Sequence, residues 1–234
     1  MARAFASGWH HIFESFAMGY RMREGLAYCI AGGRSIFLDV EADRYFGLQH
    51  DWDLAFQALV AAGSTGPQLS ALVNAGILVE AEIEAEFTAP VIVAANQEMV
   101  SGALKPSLRL IAKFVVAQIR AASALRTKAL AEVLQGIDQR AAATKDAAGD
   151  GPEPRWQPLV AAFFASSHLR PRSGHCLTNS IAFMRVARSL GYKPQLILGV
   201  CAAPFSAHCW VQAGDYVLND RIENIRTFEP ILAL

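Results

Sequence analysis

Neither a long apolar run nor an excess of one charge occurs in this sequence. Lys plus Arg and Asp plus Glu both number 21, so the formal net charge is zero. The basic footprint that drives nucleic-acid binding is therefore absent, and a small molecule or a peptide is the expected partner. No stretch approaches the ~18 consecutive apolar residues of a membrane span; Lys113, for example, interrupts Leu110–Val116. Met1–Ala17 carries Arg3, Trp9, His10, His11 and Glu14 where a signal peptide would be continuously apolar, so the expected location is the cytoplasm. Cysteine is scarce, and Cys29, Cys176, Cys201 and Cys209 are expected to stay reduced there. Together with His175 and His208 they lack the C-x-x-C or H-x-x-x-H spacing of a zinc site, so no metal is expected. No G-x-x-x-x-G-K-[ST] loop occurs and Gly32-Gly33 matches no dinucleotide fingerprint, so no cofactor is expected either.

What remains is a chain of 234 residues, 53% apolar and 18% charged, with room for one large domain or two small ones. The first third alternates as strands. Leu26–Ala31 and Ser35–Val40 flank a Gly32-Gly33 hairpin turn, and Glu41-Ala42-Asp43 leads to a third strand over Arg44–Leu48. Asp51 and Asp53 are placed to cap a helix over Leu54–Ala61. Pro67 suits the first turn of another, which runs to Asn74 and ends at Gly76. This is a winged-helix-like pattern. From Pro106 to Lys145, Leu108, Ile111, Val115, Ile119, Ala122, Leu125, Ala129, Val133 and Ile137 form a helical stripe, with Gly136 as its point of division. Ala147–Pro154 reads as a linker. Beyond it come a helix over Pro158–His168 and a loop at Arg170–Gly174. A second helix runs from near Cys176 to Leu190, with Ile181, Met184 or Val186, Ala187 and Leu190 inward. Strands follow at Gln195–Val200, His208–Gln212 and Tyr216–Asp220. A helix leading into an antiparallel sheet, with Cys at the helix start and His on a strand, is the α+β layout of papain-like and transglutaminase-like cores.

A thiol becomes a strong nucleophile on losing its proton, and a helix N-terminus favours the thiolate. Cys176 opens its helix. His208 and Asp220 lie on consecutive strands, and with Ala213-Gly214-Asp215 as a three-residue loop they stand directly opposite one another. A two-residue Gly214-Asp215 turn pairs Cys209 with Asp220 instead and throws His208 to the other face. A Cys-His-Asp constellation therefore demands the longer loop. Taken singly, each residue also has a structural reading: Cys176 as a small buried hydrophobe, His208 as a satisfied histidine, Asp220 as a turn former. His175 reads as structural, and Cys29, Cys201 and Cys209 as buried strand or loop residues. On residues alone the site is that of a thiol hydrolase or an acyl transferase.

The segments Cys176-Leu177-Thr178-Asn179-Ser180, Leu190-Gly191-Tyr192-Lys193-Pro194, Leu198-Gly199-Val200, Pro204–Val211 and Val217-Leu218-Asn219-Asp220 together resemble the lasso-peptide B proteins, over residues 155–234. Cys209 stands where that family usually has a small residue. The resemblance implies a transglutaminase-like cysteine peptidase domain with Cys176 as nucleophile, His208 as general base and acid, and Asp220 as orienting carboxylate. It also implies that residues 1–85 form a PqqD-like leader-recognition module, with 86–154 as helical connector and linker. Arg44–Leu48 and Pro67–Asn74 would then grip the leader, with Tyr45, Phe46 and Leu72 as apolar contacts. The implied partners are a lasso-peptide precursor and a separate cyclase, with no nucleic acid and no membrane. Some members of that family are held to need ATP; this sequence carries no nucleotide motif. The rival expectations are an acyl transferase of transglutaminase or acetyltransferase type and a non-catalytic peptide-binding scaffold.

Overall fold

The computed structural model describes residues 19–63, 66–81, 87, 92–99, 104–143, 156–167 and 175–234. The chain begins with β1 (Gly19–Met22), β2 (Leu26–Ala31), β3 (Arg34–Asp39), β4 (Arg44–Gly47), α1 (His50–Ala62), α2 (Pro67–Asn74) and β5 (Leu78–Ala81). Strands β2, β3 and β4 form an antiparallel meander with β4 at one edge, while β1 pairs with β5. The Gly32-Gly33 turn has two residues, both at positive φ (57° and 75°), which glycine adopts without a Cβ clash. Alternation sorts the meander into two faces. Tyr28, Phe37 and Phe46 lie in register and pack with Phe56, Leu59, Leu69 and Leu72 from the two helices. Cys29, Ile36, Leu38 and Tyr45 point the other way, into the larger core built by the C-terminal half. Burial on both faces explains why β3 reads as a nearly unbroken apolar run.

Asp51 and Asp53 do not cap a helix. Helix α1 starts earlier, at His50, and its N-cap Gln49 makes no side-chain bond to the helix. Asp53 is buried and ties α1 to β3: it accepts from Arg34 Nε at 2.7 Å, the Ser35 N–H at 3.0 Å and Gln57 Nε2 at 3.0 Å. Burial pushes its carboxyl up, but these donors outweigh that and hold it below the usual range.

The chain continues with β6 (Gln97–Glu98), α3 (Leu108–Thr127), α4 (Leu130–Ala143), α5 (Gln157–Ser167), α6 (Cys176–Ser189), β7 (Gln195–Ala202), β8 (Phe205–Ala213), β9 (Tyr216–Val217), α7 (Ile222–Ile225) and β10 (Glu229–Ala233). The sheet runs β10-β7-β8-β9-β6, antiparallel except for the last pair. Helix α6 lies across it, and Phe114, Phe163 and Phe183 lock α3, α5 and α6 together with ring centroids 5.4–5.6 Å apart. The helices that sequence reading set aside as a connector thus share the core that holds α6.

Two expectations for this region fail. The helical stretch divides at Lys128-Ala129, where Lys128 is extended, and not at Gly136. Its buried stripe is Phe114, Ala117, Gln118 and Ala121, followed by Leu130, Val133, Leu134 and Ile137. Leu108 is 83% exposed and Ile119 51% exposed. An Ala-rich helix offers several apolar stripes, and the bulk of Phe114 selected the one that faces the Phe163–Phe183 cluster. Leu190, expected inward, is likewise exposed, because the helix ends before it. The expected linker Ala147–Pro154 and loop Arg170–Gly174 lie outside the described residues.

Candidate active site

Helix α6 opens at Cys176 with His175 as an N-cap that makes no side-chain bond, so the first-turn N–H groups stay available to an anion. The expected three-residue loop between the last strands is not found. Gln212 pairs with Val217 and Ala213 with Tyr216, leaving the two-residue turn Gly214-Asp215. Carried further, that register would set Cys209 against Asp220 and turn His208 away. The ladder stops first. The Leu218 N–H still donates to the Val211 carbonyl at 2.9 Å, but the Val211 N–H is taken by Asn219 Oδ1 at 2.7 Å. The chain bends through 218–220 and leaves the strand. Asp220 is thereby freed to reach the imidazole, with Oδ2 2.6 Å from His208 Nε2. Helix α6 occupies the edge so vacated: Ser180 Oγ donates to the Cys209 carbonyl at 3.2 Å, and Cys176 lines one cavity with His208, Cys209 and Asp220.

The three expected residues are therefore brought together, by a route sequence pairing had excluded. The Cys176 thiol is lowered to about 4, first by a hydrogen bond from the Cys209 thiol, against burial, and then by bonds from the imidazole and the Cys209 N–H. His208 is raised to about 9, first by its bond to Asp220 and then by the Cys176 sulfur, with burial opposing. Burial pushes Asp220 up, but His208, Asn224 Nδ2 (2.8 Å) and the Arg221 N–H (2.7 Å) hold it below the usual range. Both shifts run toward a thiolate beside an imidazolium, the charge state in which a thiol can attack and an imidazole can give up a proton. Phe228 packs on the imidazole at 5.2 Å and Trp210 stacks at 6.4 Å, fixing the ring plane. A cavity of about 230 Å³ opens over these groups, walled by Phe163, Phe164 and Arg221.

Residues without a role in the sequence reading turn out to build this site. Asn219 bonds Val211 and, through Nδ2, Ser180 Oγ at 2.8 Å, and so enforces the strand's departure. Cys209, read as a buried strand residue, is buried; its thiol donates to Ser180 Oγ at 3.7 Å, and it lines the same cavity as Cys176. Burial, with Glu229 nearby, pushes the Cys29 thiol up to about 12. His175 is exposed. Among the described residues no group of three or more His, Cys, Asp or Glu is placed to hold a metal. No helix there is long and apolar enough to cross a membrane.

The three expected leader contacts do not share one face: Phe46 and Leu72 belong to the small core, and Tyr45 packs against the larger one. Leu72 is fully buried in the small core, so its side chain is unavailable to a peptide; that expectation is corrected. Phe46 faces the same core, stacked on Phe37 at 5.2 Å, with the Arg44 guanidinium 5.5 Å from its centroid. Tyr45 points toward the thiol domain and packs on Phe205 at 5.7 Å. Burial, with Cys209 and Cys176 nearby, raises its hydroxyl to about 12.

Residues 121–233 match the family model of the Transglutaminase-like superfamily. This stretch, with its helix-opening Cys176 and antiparallel sheet, is similar to transglutaminase-like domains and is α+β in build. A 53-residue segment, 23% of this chain, is 40% identical to the microcin J25-processing protein McjB of Escherichia coli and spans only 26% of that relative's length. No solved structure gives a significant match. The two similarities agree with the resemblance to the lasso-peptide B proteins.

Proposed function

We propose that this chain is a cysteine peptidase that removes the leader from a lasso-peptide precursor, with Cys176, His208 and Asp220 as its catalytic residues. The observation that carries the reading is the 2.6 Å bond between His208 and Asp220 beside a thiol that opens a helix. The Cys176 thiolate attacks the scissile carbonyl, and the oxyanion forms beside the helix-opening N–H groups. The imidazolium gives its proton to the leaving amine, which becomes the new N-terminus of the core peptide. His208, now neutral, takes a proton from water, whose oxygen displaces Cys176 and releases the leader as a carboxylate. Asp220 holds the ring throughout and needs no proton of its own. Each of these steps is assigned to side chains and water; the ATP requirement that the family resemblance allows has no motif in this sequence.

In this reading residues 1–85 are a PqqD-like module that recognises the leader, and 155–234 form the peptidase together with α3 and α4, which the sequence reading took for a connector but which share its core. The position of β4 supports it: among the described residues no strand pairs with its outer edge, and an extended peptide can add there through backbone bonds. Tethering the leader raises the local concentration of the cut site. The freed amine passes to a partner cyclase for macrolactam formation, in the cytoplasm, where thiols stay reduced. The test is incubation with a leader-bearing precursor, read by mass. Wild type should yield leader and core, and Cys176→Ala should bind the leader yet leave it attached. An adduct between the leader's new C-terminus and an added amine, without hydrolysis, would mark an acyl transferase. Full function in Cys176→Ala would mark a scaffold.

A further inference from the structure

A cavity of about 1010 Å³ lies away from the thiol, between α3, α4 and α6. Its wall carries Arg109, Lys113, Arg120, Lys128 and Arg185 against the carboxylate of Glu132, in a chain whose formal charge is zero. Glu132 is itself paired with Lys128 one helical turn away. Arg109, Lys113 and Arg120 follow one another at spacings that keep them on one side of α3. Between them runs an apolar strip that includes Val116, 47% exposed. On the facing helix Gly136 leaves open space where a Cβ would stand.

Length decides what such a groove fits. From Arg109 to Lys128 it follows about 28 Å of helix, several times the span of a small anion. Its α6 wall, Arg185 to Ser189, stands roughly 15 Å along that helix from Cys176, so an occupant leaves the thiol cleft open. An elongated ligand with one acidic and one apolar side, held clear of the reacting groups, matches both facts. We propose that this groove docks an acidic amphipathic helix of a partner protein, its carboxylates along Arg109, Lys113 and Arg120 and its apolar edge on Val116 and the Gly136 gap.

The test uses the full chain and a fluorescent synthetic helix of about five turns, Glu on one side and Leu on the other. A scrambled peptide of the same composition, a Lys-for-Glu version, ATP and a short DNA duplex serve as comparators. The acidic amphipathic helix should bind and should protect amides of α3 and α4 from hydrogen exchange. Its affinity should fall about tenfold in Lys113→Glu/Arg120→Glu, a variant that should instead take up the Lys-faced helix. Val116→Ser should weaken it several-fold with the charges intact. Equal binding of the scrambled peptide, ATP or DNA would reduce the groove to a general anion surface and overturn the proposal. So would no binding at all, or binding indifferent to the charge reversal in a variant whose circular dichroism shows it folded.

Discussion

Replacing Asp220 with Asn keeps the side chain's shape and removes its charge, and the effect on leader cleavage should depend strongly on pH. The carboxylate's hydrogen bond is the foremost cause of the imidazolium's rise to about 9. Asp220 is largely buried beside the ring, so water does little to mask its loss. In the limit where His208 returns to about 6.5, the fraction still protonated at about pH 8 falls from about 90% to about 3%, roughly a 30-fold loss of the proton donor. At about pH 6 the same change is less than about twofold. The direction follows from the sign of the shift: activity needs thiolate, present above about 4, and imidazolium, present below about 9. Wild type should therefore show a broad plateau across neutrality, and Asp220→Asn should lose its alkaline side. Initial rates of cleavage read by mass across this range at constant ionic strength provide the assay. A uniform loss at every pH, with the alkaline limb still near 9, would refute the argument and leave Asp220 a purely steric support.

Cys209→Ala removes the foremost hydrogen bond that lowers Cys176, so the midpoint of Cys176 alkylation by iodoacetamide should move to higher pH; an unmoved midpoint would mean that the buried thiol donates nothing. Gly199→Ala should lose about 1–3 kcal/mol in urea unfolding and slow cleavage, because its Cβ would stand 2.8 Å from Trp210 Cζ3 and 3.0 Å from Phe228 Cβ, the rings that flank His208. Asn219→Ala leaves the Val211 N–H without a partner and removes one of the bonds of Ser180 Oγ, a loss of about 1–3 kcal/mol. Cleavage should fall further than stability accounts for, as Asp220 drifts toward the ladder; denaturation and kinetics on the same sample separate the two effects.

Local pattern was enough to place much of this molecule. Short apolar runs set off by turn residues located β2, β3 and β4, and two glycines at positive φ suit their first turn. Pro67 and Gly76 bracketed α2, and Cys176 was correctly set at the start of α6. Such features depend on neighbours within a few residues, and a sequence states those directly. Choices among near-equal local options were another matter. Helix α3 had several apolar stripes to bury, and only the aromatic cluster from α5 and α6 picked the one carrying Phe114. Asp53 looked like a cap until Arg34 and the Ser35 backbone claimed its oxygens from another element. Leu72 gave no sign of whether it faced a peptide or the core.

Asp220 shows the division most sharply. Pairing rules read along the chain made the choice of turn decide whether Asp220 could meet His208, and the turn that forms is the one they ruled out. The sequence by itself determined that a helix-opening thiol, a strand imidazole and a nearby acid were available. Tertiary structure alone decided that they meet, because Asn219 and Ser180, 39 positions apart, compete with the β8–β9 ladder for its backbone groups and win. A hydrogen bond between distant residues has no signature in either one's neighbourhood; it exists only once the fold has brought both to the same strand edge.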